Sequence, residues 1–154
     1  MTKKLENFKI SPNFDIYEVT NSEDHPELVD NNRIILMNNP QHICNITKTV
    51  IYLAQPIRDV YGITFFKSGY RYDYLNEVVK GSENSQHPLG EAGDLYNKIV
   101  IKILQNTKDL ESDVWKILNK CRIYSWHQFI FYPDMSIFHI SLPKGFKDNQ
   151  ILRK

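Results

Sequence analysis

The chain has 154 residues, 42% of them hydrophobic and 24% charged, which fits one folded domain with a sizeable core and excludes a largely disordered or low-complexity protein. Its 19 Lys and Arg nearly cancel 18 Asp and Glu, so the net charge of +1 gives no electrostatic basis for binding nucleic acid or an anionic membrane. No apolar run approaches the roughly 20 residues that span a bilayer, and the opening MTKKLENFKI lacks the apolar stretch of a secretory signal. The expectation is cytoplasmic synthesis without membrane insertion. Cys44 and Cys121 stand far apart, neither in a CxxC pair, and both read as core thiols. The expected unit is a single domain over residues 1–154, with 1–8 and 147–154 flexible.

From Glu23 to Asn39 the chain is mostly polar, which suggests a loop crossed by one turn of regular structure. From Pro40 to Tyr61, Ile43, Ile46, Val50, Leu53, Ile57 and Val60 recur at spacings of three and four, the pattern of a helix with one buried face. Pro56 removes an amide donor there and predicts a kink, and Gly62 ends the run. ITFFKSGYR reads as a short strand leading to a loop that carries Arg71, and YDYLNEVVKG as a short helix closed by Gly81. LYNKIVIKIL fits a buried strand or a helix, and periodicity does not choose between them. Asp109 to Cys121 reads as a helix capped by Asp109, with Leu110, Val114, Ile117, Leu118 and Cys121 on one side. HQFIFYPDMSIFHISL reads as two β segments joined by a turn at Pro133 and Asp134, with His139 on the face opposite Phe138 and Ile140. The fold class is α+β, with N-terminal helices packed on a small, mostly antiparallel sheet.

The stretch SENSQHPLGEAGD places His87 and Asp94 on either side of a tight turn. Pro88 fixes one torsion, while Gly90 and Gly93 tolerate conformations or close approaches that other residues resist. The two side chains could face one point and serve as metal ligands, with His139 the best placed of the remaining histidines for a third donor. They could equally be a hydrogen-bonded pair that braces the turn.

The wider segment SGYRYDYLNEVVKGSENSQHPLGEAGDL resembles the zinc D-Ala-D-Ala carboxypeptidases and L-alanyl-D-glutamate endopeptidases, whose fold is shared by Hedgehog signalling domains. SGYR, a short helix with Asn76, GSENSQH and GEAGD follow in that family's order and approximate spacing. FKISPNFDIYEVTNS, QPIRDVYG and HQFIFYPDMSIFHISL are similar to its leading part and closing hairpin, so the resemblance extends over most of the chain. It implies that the sheet carries a zinc site with His87, Asp94 and His139 as ligands. Arg71 corresponds to the arginine that steadies the substrate or the catalytic centre, a role suited to a planar, permanently charged guanidinium. Ser85, Gln86 and Tyr70 are candidate substrate-binding residues, and Tyr72 could also flank a peptide groove.

The family's reaction needs a carboxylate base slightly ahead of the final histidine, where this chain has Pro133 and Ser136. Asp134 in the turn is the candidate base. Glu91 is another conceivable base, although its neighbours suggest that it points away from the metal. His127 stands where members of that family carry an aspartate, either as a hydrogen-bond partner of a metal ligand or as a surface residue. The implied activity is zinc-dependent hydrolysis of a peptide bond in peptidoglycan stem peptides through a zinc-activated water. The missing signal suits a phage lysis enzyme or a virion-associated peptidase with virion partners, acting at the cell wall after release. The alternative is a noncatalytic, zinc-containing domain that binds peptidoglycan or serves a structural role in a virion.

Overall fold

The computed structural model describes residues 6–145 and 149–154. Residues 1–5 and 146–148, which include parts of both ends expected to be flexible, lie outside the described residues. The fold is α+β, as its sequence pattern predicts, but the helices do not simply precede the sheet. Helix α1 (Ile16–Val19), capped by Asp15, leads through a 3-10 turn at Pro26–Leu28 to α2 (Val29–Met37). The Glu23–Asn39 segment therefore holds a helix of nine residues rather than one turn. Its polar sequence obscures it: the buried side is Val29, Asn32 and Leu36, so an asparagine occupies a core-facing position.

Helix α3 (Pro40–Thr49) and helix α4 (Gln55–Tyr61) are joined by a π-turn, Val50–Ala54. Its last bond runs from the Gln55 amide to the Val50 carbonyl, so the hydrogen-bond register slips by one residue just before Pro56, which has no amide hydrogen to give. One extra residue advances the buried face by about 100°. Tyr61 consequently turns into the core and Val60, expected on the buried side, is exposed.

Strand β1 (Thr64–Ser68) follows, then α5 (Asp73–Val78), a 3-10 turn at His87–Leu89 and strand β2 (Ala92–Asn97). LYNKIVIKIL is both of the things its pattern allowed: β2 ends at Asn97, whose side chain caps helix α6 (Lys98–Gln105) by accepting from the amides of Ile99 and Val100. Helix α7 (Leu110–Lys120) is capped by Asp109 as expected. Strands β3 (Gln128–Tyr132) and β4 (Ile137–Ser141) form the closing hairpin around a 3-10 turn at Pro133–Met135.

The tail was expected to fray, yet Gln150–Arg153 forms strand β5, parallel to β3. It is fixed by Arg153, which donates to the Leu104 carbonyl and lies over the Phe131 ring. The sheet order is β1-β2-β4-β3-β5, antiparallel in every pair except β3 with β5.

One sheet face supplies Phe66, Leu95, Phe129, Phe131, Phe138 and Ile140 to the core, against apolar side chains of α3, α4, α6 and α7. The opposite face carries Asp94 and His139 together with Ile130 and Ile137. Cys121 is buried as predicted, whereas Cys44 is exposed on α3, because the helix packs through Ile46 and Asn45 on another side. Among the described residues no helix is long and apolar enough to cross a membrane.

Candidate metal centre

Asp94 and His139 are brought together by strand register. They are direct partners in the antiparallel pairing of β2 with β4, so both side chains leave the same sheet face. The His139 Nδ1 lies 2.8 Å from the Asp94 Oδ1. His87 arrives from the turn preceding β2. That turn reverses at Gly90, whose φ of +76° is one that L side chains rarely adopt and where any side chain would run into the His42 carbonyl and the Ile46 amide of α3. Gly93 is extended instead, and its lack of a side chain makes room for the Phe66 ring.

The His87 Nδ1 is 2.6 Å from the Gly69 carbonyl and the Nε2 is 3.2 Å from the Asp94 Oδ1. A carbonyl can only accept, so Nδ1 carries the hydrogen and the neutral ring presents a bare Nε2 lone pair to a carboxylate. Burial keeps the His87 pKa below its ordinary value despite Asp94 beside it. Burial also opposes ionisation of Asp94, but the hydrogen bond from His139 Nδ1 outweighs it and holds the carboxyl below the usual range. Two electron-rich groups aimed at each other in a desolvated spot favour a cation between them.

The donor set fits a metal. One ligand atom from each of His87, Asp94 and His139 lies within 4.8 Å of the others, and the two histidines are buried. The Gly69 carbonyl on Nδ1 is the kind of outer partner that fixes the tautomer of a metal-binding histidine. This buried group could hold a metal ion.

The three residues lie on the wall of a cleft of about 620 Å³ that Arg71, Ser85, Gln86, Ile130, Tyr132 and Ile137 also line. Arg71 is the most unusual of them: its Nε is buried without a hydrogen-bond acceptor among the described residues, and burial lowers its pKa against the pull of Asp94. Its loop is clamped by Asn32, fully buried on α2, whose amide nitrogen donates to the carbonyls of Tyr70 (2.8 Å) and Thr20 (3.0 Å) while its oxygen accepts from the Tyr72 amide (2.9 Å). Asn32 thus holds the backbone on both sides of Arg71. It lies in a polar stretch, and only its partners distinguish it from its neighbours.

The remaining candidates divide. Ser85 lines the cleft and its Oγ accepts from the His87 amide, 3.2 Å away. Gln86 is buried at the cleft wall, where its amide nitrogen donates to Glu91 and to the Leu142 carbonyl, bracing the turn against the end of β4. Tyr70 does not flank the groove. Its amide is held by the Val19 carbonyl, which turns the ring into the core, 1% exposed, with its hydroxyl 3.1 Å from His42 Nδ1. Tyr72 packs partly buried beside Tyr74, away from the cleft.

Asp134 is exposed in the hairpin turn and is not among the residues lining the cleft, because the 3-10 turn presents Met135 there instead. Glu91 faces a different cavity. His127 is buried rather than superficial, and its backbone bridges β4 and β5. Tyr132, on the cleft-facing side of β3 with Ile130 and Gln128, was not singled out by its sequence; strand alternation from His139 through the β3–β4 register was the signal that points to it. Burial raises its pKa, with Asp94 adding to the effect and Arg71 opposing it.

No family model matches the chain, and no curated protein matches it significantly.

Proposed function

We propose that the chain is a zinc-dependent peptidase acting on the stem peptides of bacterial peptidoglycan. The observation that carries this reading is the placement of His87, Asp94 and His139 in one cleft with Arg71, whose Nε has no acceptor among the described residues. The substrate class rests on the resemblance carried by SGYR, SQH and GEAGD, and the choice of zinc on a donor set of two imidazoles and a carboxylate.

Zinc bound there would lower the pKa of a coordinated water and polarise a carbonyl. Arg71, rigidly seated by Asn32, binds a substrate carboxylate or the oxygen on which negative charge develops. The Tyr132 phenol, with its pKa raised, keeps its proton at neutral pH and acts as a second donor, not as a base. Ser85 and Gln86 fix the turn so that His87 keeps its orientation. Action at the cell wall after phage-type release, or within a virion, belongs to the same reading.

A second reading has its own observation. Among the described residues that line this cleft, Asp94 is the sole side-chain carboxylate, and the candidate base Asp134 is not among them; the other acids nearby, Glu23 and Asp24, line the adjoining cavity that shares Arg71 and Asp94. That arrangement favours a noncatalytic zinc domain that binds peptidoglycan or serves a virion structurally.

The test is zinc stoichiometry by elemental analysis, together with release of peptide from dye-labelled peptidoglycan, for wild type and His87→Ala. One zinc per chain with release, both lost in the variant, is the expected result. One zinc without release at any enzyme concentration supports the second reading. Absence of zinc overturns both.

A further inference from the structure

A second cavity, of about 630 Å³, lies behind the metal-bearing turn and has no part in the chemistry above. It is lined by α3 (Asn45, Lys48), the π-turn (Tyr52), Glu91, and the loop from Arg122 to Ser125 between α7 and β3. Glu91 and Leu142, which line it, also receive the Gln86 amide, so this cavity and the cleft back onto one wall.

Several features of this cavity suit a ligand. Tyr52 and Tyr124 are 62% and 70% exposed, unusually open for large aromatic side chains. Tyr52 is displayed by the π-turn, a helical irregularity that recurs at binding sites. Arg122 sits at φ +56°, held by bonds from its own amide to the Asn119 carbonyl and from the Ile123 amide to the Leu118 carbonyl, where a glycine is the usual occupant. Neither the Arg122 guanidinium nor the Lys48 ammonium has an ion pair or hydrogen bond among the described residues.

We infer that this cavity binds an acidic glycan, with pyranose rings against Tyr52 and Tyr124 and a sugar carboxylate on Arg122 and Lys48. Sugar rings offer flat CH faces to aromatic rings, and a guanidinium pairs with a carboxylate through two parallel hydrogen bonds. The volume lies within the range of small-ligand sites and has room for a disaccharide. The acidic class follows from Lys48 and Arg122 outnumbering Glu91 on the cavity wall, while the choice of a muramic acid sugar rests on the peptidoglycan reading above.

Isothermal titration of the full chain with N-acetylglucosaminyl-N-acetylmuramic acid, which has a free carboxylate and no peptide, tests the inference, with di-N-acetylchitobiose as the neutral comparator. Both titrations are made in chelator, so binding is read independently of any metal. The expected result is saturable binding of the acidic sugar, weakened at least tenfold in Tyr52→Ala/Tyr124→Ala. Arg122→Gln should bring the acidic sugar down to the affinity of the neutral one. Both variants alter exposed side chains, and thermal denaturation verifies that they fold. No saturable binding overturns the inference, as does binding unchanged in the double variant, or preference for a tetraglutamate peptide over both sugars.

Discussion

His87 is buried with one nitrogen committed to the Gly69 carbonyl and the other aimed at Asp94, so protonation has consequences for stability as well as for metal binding. Its folded pKa lies below the unfolded value of about 6.5, so on acidification the unfolded chain takes up the proton first. The stability it contributes is present above that pH and lost as pH falls toward the folded value. Asp94 acts in the same direction at lower pH: its contribution is present above about pH 3.9 and is lost on further acidification. In chelator, the melting temperature of the wild type is therefore expected to decline between pH 7 and pH 5, and His87→Gln to flatten that decline. Equal slopes in the two proteins would show that another group governs the window. Arg71 poses the opposite case, a charge kept in the cleft wall without an acceptor for its Nε. Arg71→Met is expected to raise stability by about 1 kcal/mol by removing that unsatisfied donor, while abolishing peptide release. Chemical denaturation and the peptidoglycan assay read the two effects separately.

Two connections between elements position the site, and each turns on one small or polar residue. Gly69 follows β1, and a side chain there would run into the Val19 backbone of α1. Its carbonyl is also the partner of His87 Nδ1. Gly69→Ala should therefore displace that carbonyl and weaken zinc binding by about 10–100-fold, the usual consequence of losing an outer partner of a metal ligand. Competition against a zinc chelator measures this, and unchanged affinity would mean that the carbonyl does not set the ring. Asn32 plays the corresponding part for Arg71, joining α2 to the backbone on either side of it through two hydrogen bonds, with a third to the Thr20 carbonyl after α1. Asn32→Ala leaves two carbonyls and an amide without their partner and should cost about 3 kcal/mol, seen in chemical denaturation. A loss under 1 kcal/mol would indicate that the loop finds other partners.

Across the whole molecule the sheet is closed on one side by the C-terminal strand. β5 covers the edge of β3, and β3 carries Tyr132 and Ile130 into the cleft. Removing residues 149–154 exposes a row of unpaired backbone groups on β3 and takes away the Arg153 contacts with Leu104 and Phe131. The truncated chain should melt at lower temperature and aggregate, which light scattering during a thermal ramp records. A chain that stays monodisperse with an unchanged melt would make β5 dispensable.

Local pattern was sufficient where one face of an element meets the core. The period of Ile43, Ile46, Val50 and Leu53, the caps at Asp109 and Gly62, and the alternation of Phe138, His139 and Ile140 all follow from hydrophobic spacing and backbone sterics, which neighbouring residues alone determine. Pro88, Gly90 and Gly93 set His87 and Asp94 around a turn. Tertiary structure decided the rest. The register of β2 against β4 sets His139 beside Asp94, and the pull of Val19 on the Tyr70 amide buries a ring that the sequence leaves free to line a groove. The fate of Asn32, the exclusion of Asp134 from the cleft and the pairing of the polar tail with β3 depend on partners 38 residues away in Asn32's case and 22 in the tail's. Pairings of that range are set by which surfaces remain to be covered once the core has formed, and a local pattern of polar residues carries no record of them.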